Sequence, residues 1–249
     1  MKVHFIGIGG IGLSALARFL NFDGHEVSGS DMKSSLITKA LEDEGIKVSC
    51  PQSASNIQDD FDLVIYSAAV TDENPELIEA RLKQIRTLSR KEALPIILGD
   101  KKNYCVAGAH GKSTTTAMLA SILQSSALIG AISKDFGSNF RYVNDLIAFE
   151  ADESDASFLL SNPHCAIVTN AEPEHMEYYH YDYDKFYGSY ERFLSLAKKR
   201  VVNAEDKDIA KLKIEDAVYL YPSKDIKNLC YTLKNGEPCT KFDLKDLGT

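Results

Sequence analysis

The 249-residue sequence lacks a surplus of positive charge: 28 lysines and arginines stand against 36 aspartates and glutamates, a formal charge of −8. A general nucleic-acid binder needs a basic surface, so that class is excluded and any polyanion must be met by a local site. No run approaches the ~20 apolar residues that span a bilayer. The first residues pass from an apolar run straight into glycines, without the long apolar core and cleavage site of a secretory signal. None of the five cysteines forms a Cys-x-x-Cys pair. Cys105 and Cys165 lie inside apolar runs and read as buried, reduced thiols, which suits a reducing cytoplasm. There is no internal repeat and no low-complexity segment. The expectations are a cytoplasmic protein with neither membrane nor nucleic acid among its partners.

What is present is led by one stretch. Asn103–Ala107 is a short apolar run, Gly108-Ala109-His110-Gly111 a glycine turn, and Lys112-Ser113-Thr114 opens a segment of helical character reaching Leu123. A strand feeding a Gly-Lys-Ser turn at a helix start aims free backbone N–H groups and the positive end of the helix dipole at an anion. The lysine adds a point charge, and the hydroxyl after it is a magnesium ligand. Val106 stands where the usual phosphate loop has its first glycine, and Gly108 supplies one nearby, so the loop is a compact variant. The competing reading is an ordinary strand-turn-helix with a chance Gly-Lys-Ser.

A second glycine cluster opens the chain. Lys2–Ile8 is an apolar strand, Gly7-Ile8-Gly9-Gly10-Ile11-Gly12 follows it, and Leu13–Phe22 has helical spacing. A further strand, His25–Ser30, ends on Asp31, which lies 31 − 12 = 19 residues past Gly12. Gly-x-Gly-x-x-Gly between strand and helix, with an acid about 20 residues on, is the dinucleotide fingerprint. A glycine turn that merely lets a helix pack on a strand is the alternative. Strands at Ile46–Ser49, Asp62–Ser67 and Gln84–Ser89, with helices opening at Asn74-Pro75 and Arg90, complete about five βα steps before a polar junction, Gly99–Lys102. A whole dinucleotide fold needs about six strands. The expected division is therefore a first domain, 1–99, sized for one nucleotide moiety, and a second, 100–249.

In the second domain Ala127–Ile132 reads as a strand and 135–144 as a loop. Leu146–Phe149 is a buried strand running into Glu150-Ala151-Asp152-Glu153-Ser154-Asp155. Four carboxylates at a strand end call for a compensating cation, and magnesium takes oxygen ligands; a solvated acidic loop is the rival reading. Cys165–Val168 is a strand ending in a polar loop that carries Asn170 and His175, in the position where open α/β sheets bind ligands. His175 reads as a metal ligand, a phosphate contact or a structural histidine. His164 and His180 read as surface or loop residues. Phe186–Leu196 is a core helix by spacing, and Lys198-Lys199-Arg200 suits the dipole at its end. Strands are expected at Val201–Asn203, Ala217–Tyr221, Leu229–Leu233 and Cys239–Leu244, with Asn235-Gly236 a hairpin turn. The chain stops at Leu247–Thr249 without a terminal helix.

Three groups of residues resemble the Mur ligase family of peptidoglycan precursor synthesis. His4–Gly12 with Ser28-Gly29-Ser30-Asp31 looks like its uridine-nucleotide domain. Ala107–Thr115 is similar to its Gly-Thr-His-Gly-Lys-Thr-Thr loop. Glu150–Leu159 with Val168-Thr169-Asn170 and Glu174-His175-Met176 looks like the member that adds L-alanine. The resemblance implies an α/β fold: a Rossmann-like parallel-sheet domain followed by a phosphate-loop ATPase domain. It implies that ATP phosphorylates the lactyl carboxylate of UDP-N-acetylmuramate and that L-alanine attacks the acyl phosphate. By position, Lys112 holds the β- and γ-phosphates within a loop of Gly108, Ala109, His110, Gly111, Ser113 and Thr114. Ser113 and Glu150 ligate Mg²⁺, His175 a second ion, and Asn170 orients the site. Gly9, Gly10, Ile11 and Gly12 lie on the UDP diphosphate, Asp31 on the uridine, and Ser67 and Arg90 on the sugar nucleotide.

The sequence departs from the family pattern at Ala109 and Ser113, where threonines are usual, at Glu174, where an aspartate is common, and at Pro51-Gln52, where a histidine often stacks on uracil. The family carries a third, amino-acid-binding domain, so a chain of this length is expected to be a fragment that binds nucleotides without completing ligation. Three rival readings stand beside this one: a recycling ligase that attaches a tripeptide to the same sugar nucleotide, an NAD-dependent oxidoreductase, and a non-catalytic nucleotide switch.

Overall fold

The computed structural model describes residues 1–244; the expectation for Leu247–Thr249 lies outside them. Five strands, β1 (Lys2–Ile6), β2 (Glu26–Ser30), β3 (Lys47–Ser49), β4 (Leu63–Tyr66) and β5 (Arg86–Ser89), form one parallel sheet in the order β3-β2-β1-β4-β5. Helices α1 (Ile11–Phe22), α2 (Leu36–Asp43), α3 (Pro75–Leu82) and α4 (Arg90–Leu98) connect or follow them. The strand order reverses at β1, so the glycines after β1 sit at the crevice where open α/β sheets bind ligands. Asn74 caps α3 through its side chain, with Pro75 in the first turn. Ser89 and Glu92 form a reciprocal capping box on α4, a device worth about 1 kcal/mol. That cap fixes the start of α4 and so the position of Arg90.

The second sheet has seven strands. β6 (Lys102–Ala107) leads to α5 (Lys112–Leu123). β7 (Ser126–Ser133), β8 (Ser138–Arg141), β9 (Leu146–Glu150) and β10 (Pro163–Val168) follow, then α6 (Tyr183–Leu196), β11 (Lys199–Asn203) and β12 (Val218–Leu220). The order is β12-β11-β10-β6-β9-β7-β8, parallel throughout except for the β7–β8 pair. Because β6, β9 and β10 are parallel neighbours, the loops that leave them emerge on one edge. A short helix, α7 (Pro222–Asp225), and an antiparallel hairpin, β13 (Ile226–Lys234) with β14 (Glu237–Leu244), end the described chain. Asn235 and Gly236 take φ of 56° and 82°, the left-handed pair that a two-residue hairpin turn requires.

Three expectations are corrected. Residues 135–144 are not all loop: Ser138–Arg141 is β8, paired antiparallel with β7. His164 lies within β10, half-buried against the Tyr104 ring. Lys199 and Arg200 belong to β11, although Arg200 Nε still reaches back 2.9 Å to the Leu194 carbonyl at the end of α6.

Helix α1 explains how the two sheets meet. All eight residues from Leu13 to Leu20 are buried, including Ser14 and Arg18, because one face covers β2 and the other packs on β7 and β8. Phe19 and Phe22 meet Phe140 and Tyr142 across that junction, edge-on for Phe19–Phe140, stacked for Phe22–Tyr142 and tilted in the other two pairs. One apolar cluster runs from Val3 and Leu16 through Leu128 and Phe149 to Tyr190. Burial at about 25 cal/mol per Å² of apolar surface makes such a shared core the main force holding the sheets together.

Candidate active site

The phosphate loop forms because two glycines take backbone conformations closed to other residues. Gly108 has φ +138°, and a Cβ there would lie 2.3 Å from Thr169 Oγ1. Gly111, at φ +82°, turns the chain into α5. No side chain caps α5, so its first-turn N–H groups are available to an anion. The loop after β10 clamps the turn from outside. Thr169 Oγ1 and Asn170 Nδ2 each donate to the His110 carbonyl at 2.8 Å, and the His110 N–H donates to Asn170 Oδ1 at 3.0 Å. Asn170 thus acts on the loop's shape. The exposed His110 ring lies 3.4 Å from Glu174 and 3.6 Å from Glu172.

Lys112 folds back over this loop. Its Nζ donates to the carbonyls of Gly108 (2.6 Å) and Ala109 (3.3 Å) and to Glu153 Oε1 (2.8 Å). Glu153 is only 2 % exposed. Burial pushes its carboxyl above the ordinary value, with the Lys112 contact pulling the other way. The second oxygen, Oε2, is buried without a hydrogen-bond partner. Asp152 is shifted in the opposite direction. Burial raises it, but hydrogen bonds from Ser154 and the charges of Arg90 and Lys112 together hold it below the usual carboxylate range. Beside them, Glu150 accepts from Ser113 Oγ at 3.0 Å through Oε1 and from the Gly130 N–H at 2.7 Å through Oε2. A hydroxyl and a carboxylate side by side at a helix start are the hard oxygen donors that magnesium takes. His175 is exposed at φ +52° on the neighbouring loop, and no side-chain hydrogen bond or ion pair joins it to Ser113 or Glu150. Among the described residues no group of three His, Cys, Asp or Glu side chains is arranged to hold a metal. The structure therefore brings Ser113 and Glu150 together and leaves His175 outside that pair.

The first glycine cluster makes the facing wall. The Gly9 N–H donates to Asp31 Oδ2 at 2.9 Å, and a Cβ on Gly9 would come within 2.8 Å of the same oxygen. Asp31 thus fixes the turn with one oxygen. α1 begins at Ile11 with no side-chain cap. Arg90 lies against Gly12, its Nη1 3.3 Å from where a Cβ would stand. Its Nη2 crosses to the acidic loop, 3.3 Å from Asp152 Oδ2, 3.2 Å from Ser157 Oγ and 3.7 Å from Asp155 Oδ2. Ser67 closes the end of β4, where its Oγ accepts the Ala69 N–H.

A cavity of about 360 Å³ lies between the walls. Gly10, Ile11, Gly12, Ser67 and Arg90 line it from one side, and Lys112, Gly130, Glu150 and Asp152 from the other. Glu153 and Gly130 were not among the expected site residues. Glu153 is one of four carboxylates in a row, and only its burial singles it out. A glycine in an apolar strand does signal close approach, and Gly130 has it: a Cβ there would sit 3.0 Å from Glu150 Oε1.

A five-stranded parallel sheet carrying a glycine turn and a seven-stranded sheet, parallel but for its β7–β8 pair, carrying a Gly-Lys-Ser turn have the layout of a nucleotide-binding α/β fold. Comparison with known proteins gives the family. The model described as "Mur ligase family, catalytic domain" matches residues 2–102, and "Mur ligase middle domain" matches residues 106–235. The chain belongs to the Mur ligase family. It is 57 % identical, over 99 % of its length, to a UDP-N-acetylmuramate–L-alanine ligase of Campylobacter curvus, of which it covers 57 %. A UDP-N-acetylmuramate-alanine ligase structure from Thermotoga maritima matches with a TM-score of 0.79 at 33 % identity, over 88 % of this chain and 53 % of that one. A UDP-N-acetylmuramate:L-alanyl-gamma-D-glutamyl-meso-diaminopimelate ligase from Neisseria meningitides shares the fold, with a TM-score of 0.79 at 23 % identity, over 98 % of this chain and 84 % of that one. The chain thus spans little more than half the length of the curated relative.

Proposed function

We propose that this chain is the sugar-nucleotide and ATP-binding part of a cytoplasmic ligase that joins L-alanine to UDP-N-acetylmuramate, with the division between its two domains at residues 99 and 100. The observation that carries the reading is one cavity lined by Gly10, Ile11 and Gly12 of the first turn on one side and by Lys112 and Glu150 on the other. In this reading the turn of Gly9, Gly10, Ile11 and Gly12, one of two anion cradles, receives the UDP diphosphate, Asp31 meets the uridine, and Ser67 and Arg90 contact the sugar nucleotide. The turn from Gly108 to Thr114 holds the ATP phosphates. Lys112 leaves the loop carbonyls for the β- and γ-phosphates and neutralises charge as the γ-phosphoryl group moves. Asn170 keeps His110, and with it the loop, in place. Ser113 and Glu150 are the groups that would hold Mg²⁺; when bound, it supplies further neutralisation of the phosphate oxygens.

A sugar carboxylate oxygen attacks the γ-phosphorus, the bond to the bridging oxygen breaks, and ADP leaves. The amine of L-alanine then attacks the acyl carbon, phosphate departs, and the amine gives up a proton to form the amide. The identity to UDP-N-acetylmuramate–L-alanine ligases along nearly the whole chain supports this choice of sugar nucleotide and amino acid. Calorimetric titration of the chain with UDP-N-acetylmuramate and, separately, with Mg-ATP tests the reading. One site for each is expected. Binding of NADH with no binding of the UDP-sugar would point to an oxidoreductase instead.

A further inference from the structure

Asn139 lies on β8, outside every residue group discussed so far, and is fully buried. All of its side-chain contacts cross between the sheets. Its Nδ2 donates to the Ile11 carbonyl at 2.5 Å and to Ser14 Oγ at 2.9 Å, and its Oδ1 accepts from Arg18 Nη1 at 2.6 Å. Arg18 is itself 5 % exposed and gives its other two nitrogens to Glu44 at 2.6 and 2.9 Å. A buried amide with its oxygen and nitrogen both engaged has one orientation only, because any displacement strands a polar group at about 1–3 kcal/mol. Ile11 is inside the glycine turn. Asn139 therefore pins the first cradle to the β7–β8 hairpin.

The same hairpin reaches the second cradle. Ala127 and Leu128 of β7 pair with Arg141 and Phe140 of β8, and two residues further along β7 the Gly130 N–H holds Glu150 Oε2 at 2.7 Å. The Gly130 backbone lies close to the carboxylate: a Cβ there would stand 3.0 Å from Glu150 Oε1. One hairpin thus touches the glycine turn at one point and the proposed metal carboxylate at another.

We propose that Asn139 is a positioning residue for the phosphoryl transfer. It sets the distance between the two cradles, so that the carboxylate of a sugar nucleotide anchored by its diphosphate arrives at the ATP phosphates. This rests on the two-cradle reading of the preceding section. A ligand held on one wall alone does not use the spacing, whereas a ligand that spans the cavity does.

The test compares three ligands by calorimetry on the wild-type chain and on Asn139→Asp. The replacement keeps an acceptor for Arg18 and removes the donor to Ile11 and Ser14. The ligands are UDP, which reaches only the glycine turn, Mg-ATP, which reaches only the phosphate loop, and UDP-N-acetylmuramate, which spans both. The expected result is that UDP and Mg-ATP affinities stay within about twofold while UDP-N-acetylmuramate weakens by about tenfold, the scale of one lost set of buried hydrogen bonds. An unchanged preference for UDP-N-acetylmuramate over UDP overturns the proposal. So does an equal loss for all three ligands, which would make Asn139 a stabilising residue only. A wild-type chain without any preference for UDP-N-acetylmuramate would instead sink the two-cradle reading itself. Should Asn139→Asp not fold, Ser14→Ala removes one of the two acceptors and must lower the same preference by a smaller factor.

Discussion

Two buried glutamates are shifted in opposite directions, with opposite consequences for stability. Burial pushes Glu153 above the ordinary glutamate value of 4.5 despite Lys112. As pH rises, the unfolded chain loses this proton first, so stability falls between 4.5 and the raised folded value and stays level above it. For Glu76 burial acts the same way, but hydrogen bonds with His4, Ser30 and Asn56 outweigh it and leave the carboxyl below 4.5. Its contribution is present above 4.5 and disappears as pH falls through the depressed value. Thermal melts across pH are therefore expected to show Glu153→Gln removing a loss on the alkaline side of 4.5, and Glu76→Gln removing one on the acid side. Equal pH profiles for the two variants would contradict both assignments. Replacing Lys112 by Met strands the Glu153 charge, a loss of about 3 kcal/mol in a buried pair. The double replacement Lys112→Met with Glu153→Gln should recover most of that stability in denaturant titrations while Mg-ATP binding stays lost.

At the scale of elements, the loops after β6, β9 and β10 meet because parallel neighbours bring them to one edge. Gly130 in β7 packs against the side chain of Glu150 at the end of β9. Gly130→Ala places a methyl 3.0 Å from Glu150 Oε1, and calorimetry should find Mg-ATP weakened by about tenfold with UDP binding unaltered; unaltered Mg-ATP affinity would remove Gly130 from the site. The βα rhythm of the first sheet was legible from apolar runs, caps and glycines: β5 and α4 meet at Ser89 and Arg90, where the sequence places a capping serine before a helix. Strand β8 was not legible. Ser138-Asn139-Phe140-Arg141 has one apolar residue, and its burial comes from α1 of the other sheet, which no local pattern records. The same reason hid Asn139 and Arg18. The phosphate loop and acidic run were legible because their chemistry is local, whereas the selection of Glu153 from four carboxylates depended on packing.

For the whole molecule, α1 is the element both sheets share: it carries the glycine turn at its start and buries eight successive residues between two sheets. Arg90 adds a second crossing, from the wall of the first sheet to Asp152 and Asp155 of the second. No helix among the described residues is long and apolar enough to cross a membrane. The central claim is that both cradles serve one cavity. Manganese in place of magnesium, bound with a non-hydrolysable ATP analogue, allows a direct measurement: paramagnetic relaxation of the ¹³C-labelled lactyl carboxylate of bound UDP-N-acetylmuramate. In-line transfer needs the reacting atoms almost in contact, so the metal-to-carbon distance should be about 6 Å or less. A carboxylate that binds yet relaxes as though no metal were near would contradict the account.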